Sequence, residues 1–195
     1  TNGTDTDYFV PPENPEKRNG ILFSGKLDIW ANILMIERIV KEILPIIRKN
    51  VPEVKLKIVG SNPPKMIHSL ENDFISIEKN VPSMLPYLQG SELFLHPHSG
   101  GSGIQNKLLE AMSCACPVVT TTTGIQGIPA KNMESVLIGN TNQELAEHSI
   151  NLLKDKEFAR KIGANARQII INNLSWDIVY QKLEELIEEV TFGKT

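Results

Sequence analysis

Short apolar segments alternate with longer amphipathic segments along most of this chain. The apolar segments predict buried strands near residues 21–24, 55–59, 74–77, 92–96, 117–120 and 136–138. The longer segments place apolar residues at helical spacing, most clearly between residues 32 and 50. Strands that alternate with helices predict parallel β-α-β units. We therefore expect an α/β fold built on a doubly wound parallel sheet.

Local signals suggest where several of these elements begin and end. Asn32 is a candidate N-cap of the helix that runs to residue 50, and Pro45 is expected to bend that helix. Further helices are predicted at residues 65–70, 82–88, 104–113, 143–153, 157–172 and 176–190. Residues 1–20 are rich in Pro, Asn, Asp and Gly and predict an extended linker. Residues 21–195 then form one domain.

Composition narrows the class of protein. The 195 residues are 41% hydrophobic, which suffices for one domain with a full core. A net charge of −3 gives no electrostatic footprint for nucleic acid. Cys114 and Cys116 are too close in sequence to suggest a disulfide or a metal site, so we expect buried, reduced thiols. These features, and the absence of a charged-then-apolar leader, favour a cytoplasmic protein.

A glycine-rich loop at residues 97–103 follows the fourth predicted strand and precedes a predicted helix. In doubly wound sheets, ligands bind beyond the carboxyl ends of the strands, where this loop lies. Bare amides at a helix N-terminus, with a nearby lysine, suit a phosphate. Glu110 lies three residues after Lys107, hence on the same helical face, and suits ribose hydroxyls. The predicted phosphate contacts are Lys107 and the loop residues Gly101, Ser102, Gly103, Ile104, Gln105 and Asn106.

Other known motifs fit this region poorly. A P-loop requires Ser or Thr directly after its lysine, whereas Leu108 follows Lys107. A dinucleotide fingerprint requires a third glycine where Asn106 stands. Residues 5–7, Asp-Thr-Asp, are more typical of a loop than of a metal site, so we expect no metal. His96 and His98 flank Pro97; either could approach a ligand, although a structural role is the simpler interpretation.

The sequence L-L-E-A-M-S-C-A-C-P-V-V at residues 108–119 resembles the donor-site motif of group 1 glycosyltransferases. Residues 1–12, 80–88, 121–128 and 175–176 are similar to further segments of the same C-terminal domain. The resemblance implies the Rossmann-like C-terminal half of a two-domain, retaining GT-B enzyme. It also implies a nucleotide diphosphate sugar as donor substrate, with no separate cofactor. The first residue, Thr1, and this resemblance suggest that an acceptor-binding N-terminal domain is missing from the chain.

The resemblance assigns roles to residues of this sequence. It places Glu110 at the ribose, Val81 in the loop that stacks on the base, and Lys26 near the donor phosphates. Ser102 stands where the family has its first glutamate, and Ala31 where it has a lysine. Lys107 is therefore expected to substitute as a phosphate ligand. No residue is an obvious nucleophile or general base, so the catalytic residues stay unassigned.

The expected function is sugar transfer from a nucleotide diphosphate sugar to an acceptor, in polysaccharide or glycoconjugate biosynthesis. The acceptor could lie at a membrane surface, which would place the full-length enzyme at the inner face of the membrane. One alternative is a nucleotide-sugar epimerase of the same architecture. Another is a non-catalytic half that only binds a nucleotide, an alternative that the changes at Ser102 and Ala31 keep open.

Overall fold

A computed structural model describes residues 2–101 and 103–193 of the chain. Within these residues six parallel strands form one sheet in the order β3-β2-β1-β4-β5-β6. The strands are β1 (Ile21–Lys26), β2 (Leu56–Ser61), β3 (Ile75–Lys79), β4 (Leu93–His96), β5 (Val118–Thr120) and β6 (Leu137–Ile138). The strand order reverses between β1 and β4, which creates a topological switch point there. The predicted doubly wound α/β fold is confirmed.

Helices cover both faces of the sheet. Among the described residues they are α1 (Trp30–Arg38), α2 (Leu44–Asn50), α3 (Lys65–His68), α4 (Leu85–Gly90), α5 (Asn106–Ser113), α6 (Asn142–Lys154), α7 (Lys156–Leu174) and α8 (Trp176–Phe192). Side chains at three N-caps fix where the last helices begin. Thr141 and Glu144 form a capping box on α6, and Asp155 and Ser175 accept from the first turns of α7 and α8.

The structure corrects several details of the first predicted helix. Asn32 is not its N-cap, because α1 already begins at Trp30 and the Asn32 amide donates to the Lys26 carbonyl at 2.7 Å. A π-helical turn, Ile39–Ile43, lies directly before α2, where we predicted a bend at Pro45. Proline has no N–H for the helical ladder, and a wider turn accommodates that loss. Strand β2 continues to Ser61 instead of ending at residue 59, and α4 begins three residues later than predicted, at Leu85.

Buried apolar side chains form two clusters, one on each face of the sheet. Successive strand residues alternate between the clusters, as pleated strands require: Leu93 and Leu95 point to one and Phe94 to the other. The first cluster is covered by α1, α2, α6 and the first half of α7, and the second by α5 and the second half of α7. Because α5 packs on the Phe94 face, its N-terminus lies above the carboxyl end of β4, beside the switch point.

The N-terminal segment packs against the domain. Backbone hydrogen bonds join Thr4 to Leu174 at 2.9 Å and to Trp176 at 3.2 Å, at the junction of α7 and α8. The Phe9 carbonyl accepts from Ser113 at 2.7 Å and from the Arg167 guanidinium at 3.0 Å. These contacts hold residues 4–9 across the ends of α5 and α7. The division into a hinge at residues 1–20 and a domain at 21–195 stays a prediction.

Candidate functional site

A crevice of about 310 Å³ opens at the carboxyl end of the sheet, beside the switch point. It lies between the ends of β1 and β2 and the N-terminal half of α5. Its lining residues are Ser24, Gly25, Lys26, Val59, Gly60, Ser61, Asn80, Val81, Met84, Lys107 and Glu110. Four residues singled out from the sequence, Lys26, Val81, Lys107 and Glu110, therefore meet in one place. The volume is at the lower end of the range of ligand pockets, roughly 300–1,000 Å³.

Lys107 carries the main positive charge inside this crevice. Its ammonium donates to the Asn32 side-chain oxygen at 3.0 Å and lies 5.6 Å from the centre of the Phe23 ring. Burial lowers the pKa of Lys107 to about 8, although the Glu110 carboxylate opposes this shift. Among the described residues it forms no salt bridge. A partly desolvated ammonium without a close counter-ion is well suited to an anionic ligand.

Glu110 lies on the same side of α5, one turn further from the helix N-terminus. Burial raises the pKa of this carboxyl, and the charge of Lys107 partly offsets the effect. No described residue donates a hydrogen bond to its carboxylate. Two free acceptor oxygens at the edge of a crevice match the two hydroxyls of a ribose.

Two glycines leave the floor of the crevice without side chains. A Cβ on Gly60 would lie 1.8 Å from the Gly25 carbonyl oxygen. A Cβ on Gly25 would lie 2.9 Å from the Lys107 ammonium. Side chains at these positions would thus displace either the neighbouring strand or the lysine. Lys26, exposed at the end of β1, and Val81 border this bare floor.

The glycine loop has the backbone conformation that only glycine adopts readily. Gly101 and Gly103 have φ angles of 102° and 101°, in the left-handed region. Gln105 occupies the N-cap of α5 but makes no side-chain capping bond, whereas the Asn106 side-chain oxygen accepts from Asn2 at 2.8 Å.

Ile104 lies against Gly127. A Cβ added to Gly127 would lie 2.8 Å from the Cγ1 atom of Ile104. Ser102 lies outside the described residues. The other loop residues do not line the crevice, so their phosphate contacts stay predictions.

His96 and His98 form a buried pair at the carboxyl end of β4. Their side chains are 0% and 7% exposed, and the ring centroids are 5.2 Å apart in a stacked arrangement. Within the described residues, the Nε2 atom of each ring has no hydrogen-bond partner. Burial lowers the pKa of both imidazoles, and the charge of Lys107 lowers each further. Sequence reasoning favoured a structural role, although a spacing of two residues at a strand end already indicates a shared face.

The carboxylates of residues 5–7 and the two cysteines do not line this crevice. The described residues contain no group of three or more His, Cys, Asp or Glu side chains that could hold a metal ion. The Asp5 carboxylate instead accepts from the amides of Asp7 and Tyr8 at 3.0 and 2.8 Å, as in an ordinary loop. Both cysteines are free and buried as predicted, and burial raises the pKa of Cys114 to about 12 and of Cys116 to about 11. None of the described helices is both long and apolar enough to span a bilayer.

Comparison with known proteins identifies relatives of this chain. Residues 18–155 match the family model described as glycosyl transferases group 1. The chain is 25% identical over 172 residues to an uncharacterized 44.6 kDa protein in the cps region of Klebsiella pneumoniae, covering 84% of this chain and 44% of that protein. It is 28% identical over 195 residues to N-acetyl-alpha-D-glucosaminyl L-malate synthase of Bacillus anthracis, covering 90% and 48%. The chain thus spans about half the length of these curated relatives.

Solved structures share the fold at low sequence identity. Anabaena Alr3699/HepE in complex with UDP superposes with a TM-score of 0.78 at 15% identity, covering 96% of this chain and 56% of that one. The C-terminal domain of a group 1 glycosyl transferase family protein (LpcC) from Francisella tularensis gives a TM-score of 0.70 at 17% identity, covering 89% and 100%. These likenesses confirm the fold as the Rossmann-like half of a GT-B architecture.

Proposed function

Because this chain belongs to the group 1 glycosyltransferases, we propose that it is the donor-binding half of an enzyme that transfers a sugar from a nucleotide diphosphate sugar. The observation that carries this proposal is the convergence of Lys107, Glu110, Lys26 and Val81 on one crevice at the switch point. In our proposal Val81 packs on the base, Glu110 accepts from the ribose, and Lys107 and Lys26 hold the diphosphate. The family match does not favour the epimerase alternative.

The leaving group of such a transfer is a nucleoside diphosphate, whose negative charge grows as the bond to the sugar breaks. The Lys107 ammonium is held by Asn32 before any ligand arrives, so little reorganisation is needed. The first amides of α5, which no side chain caps, add a partial positive charge on the same side. These groups stabilise the departing diphosphate without a metal ion. Retention of the anomeric configuration is part of the proposal and rests on the family motif.

We further propose that the full-length enzyme has an acceptor-binding domain before this one. The curated relatives and most of the similar structures are about twice as long as the matched region, which supports this. One side of α8 also carries exposed apolar residues at helical spacing, which a second domain could cover: Trp176, Tyr180, Leu183, Ile187 and Val190. The acceptor of a polysaccharide or glycoconjugate pathway would enter between the two domains, on the cytoplasmic side of a membrane.

The experiment that tests donor binding is a thermal-shift panel. The 195-residue chain is heated with UDP-glucose, GDP-mannose or ADP-glucose, and with glucose alone as control. A donor present at one hundred times its Kd stabilises the folded state by about 2.7 kcal/mol. For a domain of this size that corresponds to a Tm increase of about 5 to 11 °C. If none of these nucleotide sugars changes the Tm, the proposed function is wrong.

Binding alone does not separate an enzyme from a non-catalytic half. Incubating the full-length protein with its best-binding donor separates them, because a transferase hydrolyses or transfers the sugar and releases the nucleoside diphosphate. We expect release of the nucleoside diphosphate by the wild type and a strong loss in Lys107→Ala. Tight donor binding with no release under any condition would favour the non-catalytic alternative.

A further inference from the structure

In the stacked pair of His96 and His98, each ring has one buried nitrogen that no described residue pairs by a hydrogen bond. The Nε2 atom of His98 lies 3.4 Å from the place that a Cβ on Gly101 would occupy, so it faces the underside of the glycine loop. This atom is buried and lacks a hydrogen-bond partner in the described chain. Buried ring nitrogens normally find a partner. An unpartnered nitrogen beneath a loop of bare glycine therefore points to a ligand.

The charges around this pair define the ligand. Lys107 of α5 is close enough to lower the pKa of both imidazoles, and each ring also lies beside the other. From β5 and the loop after it only hydroxyls approach: Thr120 lies 3.4 Å from His96 Nδ1, and Thr121 donates to the His98 carbonyl. From α1, the Arg38 guanidinium donates to the Pro97 carbonyl at 3.1 Å. The surroundings are thus neutral or positive, and an anion suits them.

We propose that His98 takes up one proton when the donor diphosphate binds and becomes, with Lys107, a cationic ligand of that diphosphate. This inference rests on the proposed function, because it assumes that the diphosphate lies between the glycine loop and Lys107. The proton comes from solvent and is held on the His98 imidazole, so no bond of the donor changes. A single proton is expected, because a second one on His96 would place two like charges in contacting rings.

The sign of the pH dependence follows from the charges. Without ligand, burial and Lys107 keep the pKa of His98 below its usual value, so the ring is neutral at about pH 7. Two phosphate charges favour the imidazolium and raise that pKa in the complex. At pH values between the pKa of His98 without ligand and its pKa in the complex, donor affinity falls as pH rises, by up to about tenfold per pH unit. Lys107 has the same effect at higher pH, because its pKa without ligand is about 8.

Calorimetry in buffers of different ionisation enthalpy measures this proton directly. The probe is UDP-glucose, GDP-mannose or ADP-glucose, whichever raises the Tm most. In a nucleotide sugar one phosphate is esterified to the ribose and the other to the sugar, so the diphosphate itself does not titrate near neutrality. At about pH 7 we expect uptake of between about 0.5 and 1 proton per donor bound by the wild type, and none for the parent nucleoside.

Two histidine variants test whether His98 is the residue that takes up the proton. His98→Asn should abolish the uptake at about pH 7 and retain uptake above about pH 8, where Lys107 titrates. His68→Asn, on α3 and away from the crevice lining, serves as the matched control and should behave as the wild type. Circular dichroism and the Tm show that each variant is folded.

The wild type supplies a readout that needs no substitution. The chain has only 4 histidines, so their ring resonances can be followed individually by NMR. Addition of the same nucleotide sugar at about pH 7 should move the His98 resonance from its neutral to its protonated position and leave His68 unchanged. Donor binding without proton uptake and without that shift would overturn the inference and leave the proposed function intact. Failure of every nucleotide sugar to bind would overturn both.

Discussion

The most informative perturbation separates the contacts to the phosphates from the contacts to the ribose. Lys107→Met removes the ammonium and keeps most of the apolar stem, and Glu110→Gln removes the carboxylate charge at nearly constant volume. A charge-assisted hydrogen bond that is shielded from water contributes roughly 1.5–3 kcal/mol. Lys107→Met should therefore weaken nucleoside diphosphate binding about ten- to a hundredfold. The nucleoside alone should bind almost as before, because it has no phosphate.

The second substitution should give the opposite pattern. Glu110→Gln should weaken the nucleoside and the nucleoside diphosphate alike, because the ribose is common to both. Calorimetry of the wild type and both variants with each ligand measures the split. Lys161→Ala, which removes one exposed positive charge on α7, is the control for the change in net charge. The Lys107 effect should also shrink as salt rises, because part of the contact is exposed to solvent.

The same lysine also makes a prediction about stability. The pKa of Lys107 is lowered to about 8 in the fold, so the protonated form is disfavoured there relative to the unfolded chain. This burial of charge lowers the free energy of unfolding by its full amount below about pH 8. The effect disappears as the pH rises towards the pKa that the lysine has in the unfolded chain. Lys107→Met should therefore raise the Tm at neutral pH while donor binding is lost. If diphosphate affinity stays unchanged, the phosphates are held elsewhere, and Lys26 becomes the next candidate.

Three further predictions concern metal, turnover and packing. Donor affinity should be the same in EDTA and in manganese, because the described residues include no group of three or more His, Cys, Asp or Glu side chains that could hold the ion; a strong requirement for manganese in calorimetry would contradict this. Residues 1–195 alone should bind the donor but release no product in a nucleotide-release assay, because in our proposal the acceptor-binding domain lies outside these residues; robust turnover would refute that proposal. Gly163→Ala should lower the Tm despite the better helix propensity of alanine, because its Cβ would lie 2.3 Å from the Ala115 carbonyl, at an expected cost of about 1–3 kcal/mol. Gly90→Ala, where nothing lies within 4 Å, is the matched control, and equal Tm changes in the two variants would show that close packing is not the cause.

The fold was predictable because hydrophobic periodicity reports burial directly. The continuous apolar run at residues 93–95 indicates a strand buried on both faces, and the structure places those residues in two separate clusters, one on each face. Cap residues were less informative in the middle of the chain. Asn32 looks like an N-cap from sequence, yet tertiary contacts use its amide to bind the Lys26 carbonyl and its oxygen to hold Lys107. A partner as distant in sequence as Lys107 leaves no local signal.

Part of the site was predictable from helical spacing and from a sequence motif. Lys107 and Glu110 share a helical face by spacing, and the motif around them indicated a nucleotide site. That Lys26 faces the same crevice depends on the strand order, which places β1 beside β4, and Val81 lines it from the loop after β3. The unpartnered Nε2 atoms of His96 and His98 could not be predicted, because their burial depends on how the glycine loop and the loop after β5 pack over them.

A crystal structure of this chain with its best-binding nucleotide sugar would show where the base, the ribose and the diphosphate lie. Our account predicts the base against Val81, a ribose hydroxyl pair on the Glu110 carboxylate, and the diphosphate between Lys107 and the glycine loop, with His98 Nε2 in contact with a phosphate oxygen. A nucleotide sugar bound outside this crevice, or in it with the phosphates directed away from Lys107, would contradict the account.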